Sequence, residues 1–191
     1  MEKILVLLGC YIIGSIPTGY IIGKINNIEI REQGSKNVGA TNVYRIMGKK
    51  WGAITFLIDF IKGFIPTYFV VRHYLEPYMI IAAGIFTILG HIFTPFLGFK
   101  GGKGVATSTG VFMVITPKTL IISIAVFIII VIISRYVSLA TLTATMIFLI
   151  TSLISEISVE FKYMIVAVSI IIYLTHISNI KRLLKGKELK V

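Results

Sequence analysis

The sequence predicts an all-α integral membrane protein that crosses the bilayer about seven times. Its 191 residues are 56% hydrophobic and its mean hydropathy is +0.92, which is more apolar surface than a soluble domain of this size can bury. The apolar residues fall in runs of roughly 14–20, close to the length that a helix needs to cross the hydrocarbon core. No linker or soluble segment separates these runs, so we expect a single domain over residues 1–191.

The predicted spans follow one another along the whole chain. The first is too long for a secretory leader and lacks its cleavage site, so we expect it to be retained. The fourth is short and begins at a glycine-rich loop, so it is expected to be tilted or partly interfacial; alternatively, residues 85–99 and 104–117 form a re-entrant pair. The spans cover residues 4–23, 52–71, 79–97, 104–117, 119–134, 137–155 and 161–178.

The basic residues predict how the spans are oriented. The net charge is +11, but the basic residues punctuate apolar runs and form no basic domain, so we expect no nucleic-acid partner. With seven spans, one side of the membrane receives most of them, in residues 24–51, the glycine-rich loop and the tail. The other side receives only Lys3, Arg72, Lys118 and Lys162. The first side is therefore cytoplasmic, with the N-terminus outside and the C-terminus in the cytoplasm.

Cysteine and aspartate usage exclude several kinds of site. Cys10 is the only cysteine and lies in the first apolar run, so neither a disulfide framework nor a Cys-based metal site is expected. Asp59 is the only aspartate, so a two-metal mechanism lacks its carboxylate ligands. We expect no metal and no cofactor.

Residues 34–45 are the first polar segment suited to an anion. The guanidinium of Arg45 can bind a phosphate group through two parallel hydrogen bonds. The alternative is a polar loop in which Asn37 or Ser35 caps a short interfacial helix. The side chains that could donate to phosphate oxygens are those of Ser35, Asn37, Thr41 and Asn42.

The second polar segment is a glycine- and lysine-rich loop that opens the fourth span. Glycine permits backbone conformations in which consecutive N–H groups converge on an anion, and a helix that starts there adds its positive end. Lys100 and Lys103 supply fixed charge beside the Gly-Gly-Lys-Gly run at 101–104. The alternative is a tight turn with a positive-inside anchor, and His91 is expected to be a packed or interfacial histidine.

Two further groups of polar residues have spacings that place their members on one helix face. His176 and Asn179 are three residues apart, so they share one helix face and could orient or deprotonate a hydroxyl; the alternative is a helix that frays into a basic tail. Asp59 and Lys62 fall inside the second span with the same spacing, and a structural pair is as good an interpretation as a catalytic one. All the polar segments except Asp59 and Lys62 fall on the predicted cytoplasmic side, which favours one anion-binding active site.

These segments together resemble the bacterial acyl-phosphate:glycerol-3-phosphate acyltransferase family, integral membrane enzymes of the first acylation step in phospholipid synthesis. The resemblance covers nearly the whole chain, and Gly-Phe-Lys-Gly-Gly-Lys-Gly is its most specific part. The matching segments are Gly-Ser-Ile-Pro-Thr-Gly-Tyr at 14–20, the polar segment 34–45, Asp59 with Lys62-Gly63, the block 90–108, Ser-Arg-Tyr-Val-Ser at 134–138, and residues 176–188.

The resemblance implies a reaction in which the 1-hydroxyl of glycerol 3-phosphate attacks the carbonyl of a fatty acyl phosphate. The products are 1-acyl-glycerol 3-phosphate and phosphate, and the acyl tail would lie in a groove open to membrane lipid. Phosphate is already a good leaving group, so neither a metal nor a cofactor is required. The implied location is the bacterial cell membrane, with the active site facing the cytoplasm.

The resemblance also implies roles for individual residues. Catalytic roles fall to His176 and Asn179, which would orient the attacking hydroxyl, and to Ser35 and Lys103. The proton acceptor is either His176 or the departing phosphoryl oxygens. Phosphate binding falls to Arg45, Asn37, Thr41, Lys100, Gly101, Gly102, Gly104, Thr107 and Ser138.

Other classes fit less well. Soluble-type acyltransferases use a histidine and an aspartate separated by four residues, and none of the three histidines is followed by an aspartate at that distance. Alcohol phosphatidyltransferases need clustered aspartates. A membrane transporter or channel for an organic phosphate anion remains the alternative function, although the outer loops are short and poor in polar residues.

Overall fold

The computed structural model describes all 191 residues and contains helices but no strands, which confirms the all-α prediction. Each helix is bounded by a proline, a glycine or a short polar turn. The helices are α1 (Glu2–Ser15), α2 (Thr18–Ile25), α3 (Ala40–Met47), α4 (Lys49–His73), α5 (Pro77–Ile92), α6 (Val105–Ile115), α7 (Pro117–Ser134), α8 (Val137–Ile154), α9 (Val159–Thr175) and α10 (Ile177–Leu184), with a 3-10 turn at Pro95–Leu97.

Helix length and composition give four to six membrane spans. Helices α4, α7 and α8, and the stretch Pro77–Leu97, are each long and apolar enough to cross a membrane alone. Two bent helix pairs are long and apolar enough to cross a membrane when each pair is counted as one span. These are α1 with α2, bent by 42°, and α9 with α10, bent by 57°. Helix α6 is apolar but has only 11 residues, about 17 Å at 1.5 Å per residue. The multi-pass membrane fold is thus confirmed, while the count of seven and the orientation of the termini remain predictions.

The two bends differ in their local cause. Pro17 follows α1 and has no N–H to donate, so the helical ladder stops there and restarts at Thr18. His176 separates α9 from α10 with φ −101° and ψ 5°. Each bend leaves backbone carbonyls and a side chain available for contacts that a straight helix would not allow.

The chain folds as two compact units, Met1–Val114 and Ile115–Val191, called here the first and second unit. In the first unit α1 packs along α5, and α4 contacts α1, α2, α3 and α5. In the second unit α8 contacts α7, α9 and α10. The single domain expected over residues 1–191 remains a prediction.

Reciprocal glycines bring two helix pairs of the first unit into backbone contact. A Cβ at Gly14 of α1 would overlap the carbonyl of Thr87 in α5, and one at Gly90 of α5 would overlap the carbonyl of Tyr11 in α1. Helices α4 and α6 repeat this arrangement through Gly63 and Gly110. Small residues suit helix packing in lipid, where close van der Waals contact replaces the hydrophobic effect as the driving force.

The second unit is held by polar contacts between its helices as well as by apolar packing. The Ser152 hydroxyl donates to Thr119 Oγ1 at 3.2 Å, and the Tyr173 hydroxyl donates to the carbonyl of Leu142 at 3.0 Å. The tail returns to the α7–α8 turn, where the Val191 N–H donates to the carbonyl of Arg135 at 3.0 Å. Helix α7 exposes a row of isoleucines, as expected of a lipid-facing helix.

Replacing Gly14 by alanine should destabilise the protein, whereas replacing Gly9 on the same helix should not. A Cβ at Gly14 would force α1 and α5 apart, while Gly9 has nothing within 4 Å. Overpacking of this kind costs roughly 1–3 kcal/mol. We expect a lower Tm for Gly14→Ala in detergent, followed by helical circular dichroism, and an unchanged or slightly higher Tm for Gly9→Ala. Equal melting temperatures for the two variants would contradict the close packing of α1 on α5.

Candidate functional site

Asn42 organises the polar segment that precedes α3. Its Oδ1 accepts the backbone N–H of Ser35 at 2.8 Å, and its Nδ2 donates to the carbonyls of Ile30 and Gln33, each at 3.2 Å. The side chain is only 1% exposed. The expectation that Asn42 donates to phosphate is therefore wrong, because its amide is committed to folding residues 30–35.

Asn37 shapes the entry to α3 in a different way from the predicted cap. Its Oδ1 accepts the N–H of Gly39 at 2.9 Å, which forms a side-chain turn. The residue that caps α3 is Gly39, without a side-chain hydrogen bond, so the interpretation of Asn37 or Ser35 as the N-cap is wrong. Thr41 and Arg45 are four residues apart and half-buried on α3, which places them on one helix face.

The glycine-rich loop is pinned to the end of α5 by its own backbone. The N–H of Gly101 donates to the carbonyl of Ile92 at 2.9 Å, and the N–H of Gly102 donates to the carbonyl of His91 at 3.0 Å. A Cβ at Gly101 would overlap the carbonyl of His91, and one at Gly102 would overlap the His91 ring. These glycines therefore serve close approach, and their own N–H groups are used within the protein.

The start of α6 combines the features of an anion site. Gly104 has φ +84°, and its carbonyl accepts the N–H of Ser108 in the first turn of the helix. The hydroxyls of Thr107 and Ser108 are buried and have no hydrogen-bond partner. Buried hydroxyls without partners are uncommon and costly. A bound phosphate would satisfy them, together with the helix N–H groups and the half-buried Lys103; Lys100, by contrast, is exposed.

Asp59, Lys62 and His91 form a buried cluster among the helices of the first unit. Lys62 Nζ lies 2.8 Å from Asp59 Oδ1 and also donates to the carbonyl of Ile16 at 2.8 Å. His91 Nδ1 lies 3.8 Å from the same carboxylate oxygen. The predicted pairing of Asp59 with Lys62 is confirmed, and His91 is a packed histidine rather than an interfacial one.

In the second unit, His176 has a defined tautomer. The side chain is buried, and its Nδ1 lies 2.7 Å from the carbonyl oxygen of Ile172. A carbonyl only accepts hydrogen bonds, so in the neutral ring Nδ1 carries the proton and Nε2 is the basic nitrogen. At the α9–α10 bend, Nε2 is therefore the nitrogen without a proton in the neutral ring.

Glu188 is a buried neighbour of Asn179 that the sequence did not single out. Its Oε1 accepts Asn179 Nδ2 at 2.7 Å, and its Oε2 accepts Arg182 Nε at 2.8 Å. Burial alone would raise the pKa of the Glu188 carboxyl, but the hydrogen bonds from Arg182 and Asn179 outweigh it and hold the pKa below its ordinary range. The available signal was a single acidic residue in a basic tail.

The predicted site residues divide between the two units. Ser35 is half-buried in the segment before α3, and Ser138 is buried in the first turn of α8. The first unit holds Ser35, Asn37, Thr41, Arg45, Lys100, Gly101, Gly102, Lys103, Gly104 and Thr107, and the second holds Ser138, His176 and Asn179.

Sequence comparison gives one consistent family. The sequence model described as glycerol-3-phosphate acyltransferase matches residues 4–186. A glycerol-3-phosphate acyltransferase of Aquifex aeolicus (strain VF5) is 39% identical over 189 residues, which cover 98% of each chain. One of Geotalea daltonii is 41% identical over 189 residues, covering 98% of this chain and 96% of the relative.

Solved structures agree with the sequence relatives. The fold is similar to that of PlsY (YgiH), an integral membrane glycerol 3-phosphate acyltransferase, in its glycerol 3-phosphate form. The TM-score is 0.96 and the identity 38%, over 100% of this chain and 96% of the other. The lysophosphatidic acid form of PlsY gives a TM-score of 0.93 at 37% identity, over 100% of this chain and 95% of the other.

Replacing Glu188 by glutamine should loosen the tail in a pH-dependent way. The folded-state pKa of Glu188 is lowered, so its stabilising contribution is present above the ordinary value of 4.5 and is lost as pH falls through the lowered value. At neutral pH we expect a loss of roughly 1–3 kcal/mol. The Tm difference between the two proteins should shrink below pH 4.5. Glu156→Gln, at an exposed carboxylate of the same unit, is the control, and a difference that does not depend on pH would refute the ion-pair role.

Proposed function

We propose that this chain, which belongs to the glycerol-3-phosphate acyltransferase family, takes its acyl group from a fatty acyl phosphate. It is a multi-pass membrane acyltransferase that acylates glycerol 3-phosphate. In the proposed reaction the 1-hydroxyl oxygen bonds to the acyl carbonyl carbon. The bond from that carbon to the phosphate oxygen breaks, and inorganic phosphate leaves with the electron pair. The product is 1-acyl-glycerol 3-phosphate, a phospholipid precursor.

The observation that carries the proposal is the start of α6. A helix terminus, the half-buried Lys103 and two buried hydroxyls without partners, Thr107 and Ser108, occur within six residues. Together these groups supply the hydrogen-bond donors and the positive charge that bind a phosphate group with its several acceptor oxygens. We assign this site one substrate phosphate, with Lys103 offsetting the charge that develops on the leaving group.

The second phosphate is assigned to α3 and the segment before it. Arg45 can hold a phosphate through two hydrogen bonds, and Thr41 shares its helix face. The backbone N–H of Ser35 donates to Asn42 Oδ1, and this hydrogen bond fixes the position of Ser35. Two anion sites match two phosphorylated substrates, glycerol 3-phosphate and an acyl phosphate.

His176 is proposed to handle the proton of the attacking hydroxyl. Its bond to the Ile172 carbonyl leaves Nε2 as the basic nitrogen. Asn179 is held by Glu188, so its amide orientation is fixed, as a residue that orients a hydroxyl requires. A phosphate oxygen of the leaving group is the other possible acceptor, and the kinetics of a His176 variant separate the two.

An assay of donor preference tests the proposed function. Purified protein receives glycerol 3-phosphate with palmitoyl phosphate, palmitoyl-CoA or no donor, and both phosphate release and acylated product are followed. We expect equal amounts of phosphate and product from palmitoyl phosphate, and little product from the thioester. Comparable rates with palmitoyl-CoA would overturn the donor assignment. Transport of glycerol 3-phosphate into vesicles without product would instead favour the transporter.

Lys103→Ala should nearly abolish turnover. Removing one charge-assisted contact to the transition state costs roughly 2–4 kcal/mol, or about thirty- to a thousandfold in rate. Turnover with palmitoyl phosphate and Tm are measured side by side. Lys118→Ala, at an exposed lysine outside the proposed site, should keep normal turnover. A Lys103→Ala protein with normal turnover would remove Lys103 from the reaction.

His176→Ala should lower kcat far more than it raises KM for glycerol 3-phosphate. General base assistance is worth about a hundred- to ten-thousandfold, so a loss in that range supports His176 as the proton acceptor. A raised KM with kcat kept would indicate substrate binding only. Lower thermal stability with normal kinetics would show that His176 only packs at the α9–α10 bend.

We propose that the protein resides in the bacterial cell membrane with its substrate-binding loops in the cytoplasm. The asymmetry of lysine and arginine supports this orientation. A cytoplasmic reporter fused to the C-terminus should be active, and a reporter that needs the periplasm should be silent. The opposite pattern would reverse the orientation of the loops.

A further inference from the structure

The buried cluster of Asp59, Lys62 and His91 takes no part in the reaction proposed above. These side chains are 2%, 5% and 7% exposed, and they lie inside apolar helices where charge is costly. A buried ion pair contributes little net stability, because desolvation offsets the attraction between the charges. Stability alone is thus a weak reason for such a cluster, and its contacts suggest another.

The cluster joins three segments of the first unit. Asp59 and Lys62 lie one turn apart on α4 and pair at 2.8 Å. Lys62 also donates to the carbonyl of Ile16, at the bend between α1 and α2. His91 belongs to the last turn of α5, with its Nδ1 3.8 Å from the Asp59 carboxylate.

The other face of the cluster is the glycine-rich loop. The three atoms nearest to a Cβ built at Gly102 all belong to the His91 ring, and Nε2 is the nearest of them. The Gly102 N–H donates to the His91 carbonyl at 3.0 Å, and the Gly101 N–H donates to the neighbouring carbonyl of Ile92 at 2.9 Å. His91 thus holds Gly102 through both its ring and its backbone, and Lys103 is the next residue in the chain.

We propose that Asp59, Lys62 and His91 are positioning residues, which fix the loop at Gly102 and thereby place Lys103 and the start of α6 for phosphate binding. The Asp59–Lys62 pair, anchored to Ile16, forms a polar base behind the imidazole, and the ring supports the loop. Only glycine at 102 allows the backbone to approach that ring. The inference rests on the proposed role of Lys103, because a loop without a catalytic lysine would have nothing to place.

The reason for a rigid support is geometric. A displacement of about 1 Å in a group that meets the transition state costs on the order of a hundredfold in rate. The loop is short and glycine-rich, so its own conformational preferences fix Lys103 poorly. A buried, hydrogen-bonded support supplies the missing constraint.

The first test is a double-mutant cycle of His91→Ala and Gly102→Ala. Each single variant should lower kcat/KM with palmitoyl phosphate by about ten- to a hundredfold. The double variant should lose no more than the larger single loss, because the three atoms nearest to the new methyl group at 102 all belong to the ring that His91→Ala removes. Gly9→Ala, a glycine with nothing within 4 Å, is the control and should be normal. Losses that multiply would overturn the coupling of His91 to the loop.

The second test separates positioning from stability. Asp59→Asn and Lys62→Met each leave one buried group without its partner and should lower Tm. The paired variant Asp59→Leu with Lys62→Met removes both charges and should recover Tm. We expect kcat/KM of the paired variant to stay at least about tenfold low, because the polar base behind His91 is gone. Recovery of both Tm and activity would show that the pair only stabilises the fold and would overturn the proposal. If the paired variant does not fold, Gly102→Ala, which keeps all three cluster residues, decides.

Lys103→Ala, assayed in parallel, distinguishes failure of the proposed function from failure of the positioning proposal. If Lys103→Ala is fully active, the proposed catalytic role of the loop fails and the positioning proposal fails with it. If Lys103→Ala is inactive while the paired variant and Gly102→Ala are fully active at normal Tm, the function stands and only the positioning proposal is overturned. Inactivity of Lys103→Ala with the non-multiplying cycle supports both.

Discussion

Polar groups inside these helices have no water to bind, so each must find its partner within the protein. Buried hydroxyls along the chain meet this demand by donating to a carbonyl one turn earlier, as Thr67 does to Gly63 and Thr87 does to Ala83, both within 3 Å. The neighbouring hydroxyls of Thr107 and Ser108 depart from that pattern, as do those of Thr18, Thr116 and Ser138, because none has a partner within the protein. An exception to so strict a constraint, beside a helix terminus and a lysine, points to a ligand that brings its own acceptors.

Several glycines are required because they have no side chain and so allow close backbone contact. Gly14 with Gly90, and Gly63 with Gly110, let helix backbones touch, which lets short apolar helices pack firmly in lipid. The lack of a side chain likewise lets Gly102 lie against the His91 ring. The loop is therefore rigid because it is bonded to the end of α5, and its glycines are required for that approach. The same contact connects the loop to the ion pair of α4.

In the second unit, the buried polar group that needs partners within the protein is a carboxylate. Glu188 is buried by the returning tail and accepts hydrogen bonds from Arg182 and Asn179. This network fixes Asn179 within α10, one turn from His176, whose Nδ1 is fixed by the carbonyl of Ile172. Two side chains assigned to the attacking hydroxyl are thus each oriented by a partner that takes no part in the chemistry. Such outer contacts hold reacting groups within the narrow tolerance that catalysis requires.

The sequence by itself determined the all-α membrane fold, the family, the polar segments and the one-turn spacing of Asp59 and Lys62, because apolar run length, local spacing and a specific motif report these directly. Only the tertiary structure decided how the polar groups are used. The amide of Asn42 folds residues 30–35, the N–H groups of Gly101 and Gly102 bind the end of α5, and Glu188 holds Asn179. Each of these contacts joins residues about ten apart across a bend or loop. No helical period relates such positions, so which partner satisfies a buried polar group depends on how the chain turns back on itself.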